Sequence, residues 1–241
     1  MNLSFEEVAN STVKVQCGDD FGSGFHLFRK DIVVTNHHVV EDGDAIFVKS
    51  EHGTFQPANL ITHSPKTEKD FAILQLVDDL PEPRTVLQPL AKSPERGTEL
   101  IFAGYPHGES LDDLLVRHGR VAAPYTFGFY IDGSVNGGDS GGPTVDLQSG
   151  QVLGVVTYRR FFNQDELRAA AETGRQLAPH AARSRGLTTF NDIDLMAVVA
   201  FLAQGVHWVA QSIEANSSLG IGMAIGIDWV VEEYKRVGLS S

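Results

Sequence analysis

Short β-branched runs, each cut off by glycine, aspartate or proline, fill the chain from residue 12 to residue 160 and leave few folds open. TVKVQC (12–17), GFHLFR (24–29), DIVVTN (31–36), DAIFVKS (44–50) and FAILQLV (71–77) each have the length and side chains of a strand. The separators GDDFGSG, EDGD and HSPKTEKD are turn formers. A second series follows the charged, proline-bearing crossover DDLPEPR (78–84): TELIFAGY (98–105), RVAAPY (120–125), GFYIDG (128–133), GPTVDL (142–147) and QVLGVVTYRR (151–160). Many short strands with tight turns predict an all-β sandwich or barrel architecture, and the crossover predicts two β subdomains.

Beyond residue 160 the period changes. NQDELRAAAETGRQL (163–177) is rich in helix formers, and from Asn191 to Ala215 apolar residues fall at 193, 196, 199, 202, 206, 209 and 213, one face of a helix. That face is read as a packing face, not a membrane anchor. β character returns at LGIGMAIG (219–226), and DWVVEEYKRVG (228–238) closes as a short helix ended by Gly238. The expected organisation is one domain over 1–241, with an N-terminal barrel at 1–84, a second barrel and closing helix at 85–158 and 219–241, and a helical insertion at 159–218.

A chain of 241 residues, 42% hydrophobic, can bury its core without disulfides. The one cysteine, Cys17, reads as a small buried hydrophobe. The N-terminus carries no basic region followed by an apolar run, and the longest apolar run, LMAVVAFLA (195–203), is half of a bilayer span of ~18 residues. With a single cysteine, these features predict a cytoplasmic protein without membrane contact. The net charge of −12 excludes a nucleic-acid footprint. The nine histidines lack metal-ligand spacing, so neither metal nor organic cofactor is expected.

Three segments carry chemistry. In Asn136-Gly-Gly-Asp-Ser-Gly-Gly-Pro143, glycines on both sides of Ser140 let the backbone turn tightly and aim N–H groups inward. A serine hydroxyl attacks a carbonyl only with a base to take its proton and donors to hold the oxyanion. The N–H groups of Gly138 and Ser140 are the candidate donors; alone, the segment would read as a glycine-rich hairpin. In Val33-Val-Thr-Asn-His-His-Val-Val40 a strand runs into a turn with two histidines, and His38 is the candidate base, His37 being aimed elsewhere by alternation. In Lys69-Asp-Phe-Ala-Ile-Leu-Gln-Leu76 a carboxylate, Asp70, heads an apolar strand and needs a buried partner, which the His38 Nδ1–H would supply. The order His, Asp, Ser differs from that of α/β-hydrolases and subtilisins.

On these motifs, with GSGF (22–25), GTELIFAGYPHG (97–108), QVLGVVT and LGIGMAIGIDWVV (219–231), the sequence resembles the trypsin/chymotrypsin-like serine peptidases, most of all their bacterial high-temperature-requirement branch. The resemblance implies two six-stranded β-barrels with a triad of His38, Asp70 and Ser140 in the cleft between them. It implies a serine endopeptidase acting on polypeptides through an acyl-enzyme, and a cytosolic peptidase without a propeptide is expected to be regulated and of narrow specificity. It also implies substrate contacts: Ser134 on a neutral pocket floor, Val156-Thr157-Tyr158 as a strand pairing with substrate backbone, Tyr158 narrowing the pocket mouth, and Ile221 on the opposite wall. Small or medium apolar P1 residues are the expected preference. Three departures stand out. Asp139 matches the residue that pairs with a newly cut N-terminus in digestive relatives, yet no Ile-Val-Gly-Gly sequence is present. The barrel is expected to lack the PDZ domain common in the bacterial branch. The family has only a short loop where this chain has 159–218, and that insertion is expected to act as a lid or to receive a regulatory protein partner. The rival readings are a catalytically inactive or latent module that binds peptides or partners, and an esterase using the same three residues.

Overall fold

The computed structural model describes residues 4–65, 67–90, 92–106, 113–159, 164–216 and 220–239, with side chains except at 158–159, 164–166 and 214–216. A short helix, α1 (Phe5–Ser11), opens on a capping box in which the Ser4 hydroxyl oxygen accepts from Glu7 N–H and the Glu7 carboxylate accepts from Ser4 N–H. Strands β1 (Thr12–Cys17), β2 (Asp20–His26), β3 (Ile32–Thr35), β4 (Ile46–Lys49), β5 (Gln56–Ser64) and β6 (Phe71–Leu76) close an antiparallel barrel in the order β1-β2-β3-β6-β5-β4. A single 3-10 turn, His37–Val39, leaves β3. The chain continues through β7 (Glu99–Gly104), β8 (Leu115–Tyr125), β9 (Gly128–Asp132), β10 (Pro143–Asp146) and β11 (Val152–Arg159). It then forms α2 (Gln164–Arg183), a two-stranded hairpin of β12 (Thr189–Phe190) and β13 (Ile193–Asp194), and α3 (Leu195–Asn216), before β14 (Ile221–Gly226) and α4 (Ile227–Arg236). The second barrel closes in the order β10-β11-β14-β9-β8-β7. This is the expected pair of six-stranded barrels with a closing helix.

β3 and β6 are apolar almost without interruption because both of their faces are covered. Along β3, Val33 points into the first barrel while Ile32 and Val34 join a different cluster. Along β6, Ala72, Leu74 and Leu76 point in while Phe71 and Ile73 point out. The outward residues meet Ile101, Ala103, Val145 and Val155 of the second barrel and Val230 and Tyr234 of α4. Period-2 alternation therefore sorts each strand between a barrel interior and the core that joins the two barrels. Cys17 is buried in the first barrel, as expected.

His26, at the end of β2, is fully enclosed. Burial, reinforced by the nearby Arg84 charge, pushes its pKa down to about 4. The unfolded chain takes up this proton near pH 6.5 and the folded chain does not, so stability falls as pH drops from about 6.5 to about 4. The loss attributable to His26 is roughly 3 kcal/mol. Urea unfolding at pH 7 and pH 4.5 checks it: His26→Gln should flatten the acid loss, and an unchanged loss would exclude His26 as its source.

The chain divides into two compact units, Met1–Arg160 with Gly220–Ser241, and Phe161–Leu219. In the second unit α2 and α3 pack through small residues. Ala171, Ala178 and Ala181 face Ala200, Ala203 and Ala210, all buried. A Cβ on Gly174 would lie 2.5 Å from the Ala203 carbonyl oxygen, so only glycine allows this approach. The face expected to pack is instead exposed: Leu202, Val206, Val209 and Ile213 lie in solvent, with Phe201 75% and Trp208 60% accessible. The small-residue stripe brings the helices closer than the large stripe could, and the large side chains are turned outward. Among the described residues, Leu195–Ile213 is long and apolar enough to cross a membrane, because Gln204, His207, Gln211 and Ser212 lengthen the apolar run without charge. The helix starts at Leu195, later than the pattern from Asn191 suggested. Asn191 and Asp192 hold positive φ (48° and 64°) in the hairpin turn, and the Asp194 carboxylate caps α3 by accepting from Met196 and Ala197 N–H.

Candidate active site

Asp70 sits at the head of β6 with φ of 46°, a conformation that needs support outside glycine. The support is local: its N–H donates to the Pro65 carbonyl (3.1 Å) and its carbonyl accepts from Asn36 Nδ2 (2.7 Å). This aims the carboxylate at the 3-10 turn. Oδ1 accepts from His38 N–H (3.1 Å), and Oδ2 lies 2.8 Å from His38 Nδ1. Oδ2 also accepts from the Thr157 hydroxyl (2.7 Å). Burial pushes the Asp70 pKa up, but the bonds from His38 and Thr157 outweigh it and hold the carboxyl below the usual range. At neutral pH the group is a carboxylate, and with it as acceptor His38 carries its proton on Nδ1, leaving Nε2 as a base. His37 stacks on His63 instead, ring centroids 4.1 Å apart.

Ser140 arrives from the second barrel. Its hydroxyl donates to the Thr157 carbonyl (2.9 Å). Thr157 therefore touches both sides, its carbonyl on Ser140 and its hydroxyl on Asp70. Asp70 and Ser140 meet on one residue of β11, and His38 joins them through Asp70.

The glycine pattern has a steric origin. Asp139 N–H donates to the Asn136 carbonyl (3.1 Å) and Gly138 holds φ of 94°, which makes Asn136–Asp139 a type II turn. Gly141 has φ of 91°, and a Cβ there would lie 1.9 Å from the Ser23 carbonyl oxygen; one on Gly142 would lie 2.0 Å from that of Ala103. Ser23, in GSGF, ties this loop to the first barrel. Its N–H donates to the Ser140 carbonyl (2.7 Å), and its hydroxyl donates to the Gly138 carbonyl (2.7 Å) and accepts from Tyr105 N–H (2.9 Å). Asp139 is fully buried; Oδ2 accepts from Asn136 N–H (2.6 Å) and Oδ1 pairs with Arg117. Arg117 Nη1 also donates to the Ser134 carbonyl (2.9 Å).

Ser23 and Arg117 were missed by the sequence reading. Ser23 lies in a segment read only for resemblance, and Arg117 is one of three basic residues among Arg117, His118 and Arg120 on β8. Of the residues assigned to substrate, Val156 and Thr157 are buried on β11, Ser134 is exposed, and Ile221 opens β14 at 38% exposure. Tyr158 pairs with Met223 through the backbone, and its side chain lies outside the described residues. Among the described residues no cluster of His, Cys, Asp and Glu could hold a metal ion.

A family model described as a trypsin-like peptidase domain matches residues 22–155. A probable periplasmic serine endoprotease DegP-like of Brucella suis is 37% identical over 143 residues, 56% of this chain and 27% of the relative. Serine protease Rv3671c of Mycobacterium tuberculosis is 34% identical over 147 residues, 56% of this chain and 35% of the relative. The chain thus spans about a third or less of these curated relatives. Among solved structures, a Yersinia pestis serine endoprotease superposes with a TM-score of 0.61 at 19% identity, covering 98% of this chain and 67% of that one. An inactive form of Rv3671c gives 0.60 at 21% identity, covering 98% and 93%. The expectation of a cytoplasmic protein is overturned by relatives from Brucella and Rhizobium meliloti named as periplasmic. Cysteine count misled it: a core of this size holds without disulfides in any compartment, so the buried Cys17 does not report redox conditions.

Proposed function

The chain belongs to the trypsin-like peptidase domain family, and from that premise we propose that it is a serine endopeptidase of polypeptides, working in the periplasm as its relatives' names indicate. The observation that carries this reading is the chain of bonds that runs from His38 to Asp70 and from Asp70 through Thr157 to Ser140. In the reaction the Ser140 hydroxyl leaves the Thr157 carbonyl and gives its proton to His38 Nε2 as Oγ attacks the scissile carbonyl. Asp70 holds the imidazolium that forms. The oxyanion is taken by the N–H groups of Gly138 and Ser140; the type II turn supports this, because it sets the direction of the peptide that carries the Gly138 N–H. His38 returns the proton to the leaving amine, and water then clears the acyl-enzyme by the same route in reverse.

Substrate backbone runs along Thr157 and Tyr158 as an added strand. β10 stops pairing with β11 at Val155, which supports this placement. Ser134, Val156 and Ile221 bound the P1 side. A fluorophosphonate probe tests the reading: wild type should be labelled and Ser140→Ala should not, and a folded wild type that takes no label would sink it.

The 159–218 insertion receives polypeptide, substrate or regulator, on α3. Its support is an apolar groove of about 420 Å³ lined by Leu167, Phe201, Leu202, Val206, Val209 and Ile213. Deleting 163–215 should leave cleavage of a short peptide within about twofold of wild type and lower cleavage of a whole protein by about tenfold, the scale of an effective-concentration effect. Equal losses on both substrates would refute docking.

A further inference from the structure

The Asn136–Asp139 turn is held from beneath by a buried ion pair that runs back to β8. Asp139 has no exposed side-chain surface and Arg117 only 18%. Asp139 Oδ2 takes the Asn136 N–H, closing the turn from its side chain, while Oδ1 pairs with Arg117 Nη2. Arg117 Nη1 reaches the Ser134 carbonyl, so one guanidinium spans both ends of the segment 134–139. The guanidinium is fixed in turn by the Phe102 ring, 5.0 Å from its centroid, and Phe102 is its cross-strand neighbour on β7. A carboxylate this deeply buried cannot stay ionised without a partner.

We infer that Arg117 is a positioning residue: as an internal counter-ion to Asp139 it holds the Gly138 turn in its assembled form, so that the site needs no cut N-terminus to mature. The inference rests on the peptidase reading for its kinetic consequence but not for its structural one. Without the guanidinium, the Asp139 carboxylate turns toward solvent, which releases the Asn136 N–H and lets the Gly138 peptide reorient. The reaction then loses an oxyanion donor while Ser140, His38 and Asp70 keep their places.

The test is a charge cycle. Arg117→Met should lower kcat by about 10²-fold, the scale of one lost donor, with KM changed by less than about twofold. Adding Asp139→Asn to Arg117→Met removes the stranded charge and keeps an oxygen for the Asn136 N–H. It should return at least about tenfold of the lost kcat. Hydrogen exchange over residues 134–142 is read in parallel, all variants carrying Ser140→Ala. Exchange should quicken by about tenfold in Arg117→Met and slow again in the double variant. Arg117→Lys, which keeps the charge but not both contacts, should fall between, and it carries the comparison if Arg117→Met does not fold. Wild-type exchange rates in Arg117→Met, or no recovery in the double variant, would overturn the inference. A wild type with no turnover and no probe labelling would instead overturn the peptidase reading, with the exchange data still deciding for or against Arg117.

Discussion

Ser140→Ala is expected to lower peptide turnover by on the order of 10⁶-fold while leaving the thermal midpoint within a few degrees of wild type. The hydroxyl makes one described bond, to the Thr157 carbonyl, and that carbonyl can take water in its place. The surrounding loop is held by other groups: the Ser23 N–H on the Ser140 carbonyl, the Ser23 hydroxyl on the Gly138 carbonyl and the Gly141 N–H on the Val156 carbonyl. None of these involves the deleted oxygen. Residual turnover above the uncatalysed rate should persist, because the turn at Gly138 survives. Turnover within tenfold of wild type would mean that another group is the nucleophile.

Asp70→Asn should lower kcat by about 10⁴-fold with little change in KM. The carboxylate accepts from His38 N–H, His38 Nδ1–H and the Thr157 hydroxyl, and it has no hydrogen to offer. An amide turned to accept the His38 backbone N–H sets its NH₂ against both Nδ1–H and the Thr157 hydroxyl. The imidazole escapes by moving its proton to Nε2, and the base is then blocked where Ser140 needs it. Because Asp70 is ionised well below neutral pH, the wild-type rate near pH 7 should show no titration of this carboxyl. The deficit is checked by kcat on a peptide ester and a peptide amide. An Asp70→Asn enzyme within tenfold of wild type on both would remove Asp70 from the mechanism.

The parts of this architecture visible in the sequence were those where local chemistry and burial agree. The β3 and β6 runs announced themselves because both faces are covered, so almost every position is apolar, and β1 did so by alternating Val13, Val15 and Cys17 with Thr12, Lys14 and Gln16. β5 escaped notice for the opposite reason: QPANLITHS is largely exposed, with proline and asparagine early in the strand. α1 was hidden by its length of seven residues, although Ser4 and Glu7 carried its signal. The candidates His38, Asp70 and Ser140 stood out because their segments put unusual residues next to strands. Arg117 was not, since a charge on an alternating strand looks the same whether it meets water or a buried carboxylate. The side chains on α3 were misread because periodicity identifies a face but not what lies against it. Alanine and glycine stripes compete with leucine and valine stripes for the neighbouring helix, and here the small residues won.

One consequence follows from the way β11 and β14 lie side by side. Arg159 is the register partner of Gly222, so the two strands already hold together the points where the long excursion leaves and re-enters. With its mouth clamped by sheet hydrogen bonds, a loop made ten times longer loses only about 2 kcal/mol more in closure entropy. The barrel therefore works as a socket at this seam: what is plugged into it can be lengthened, trimmed or exchanged, and the framework below is left almost indifferent to the choice.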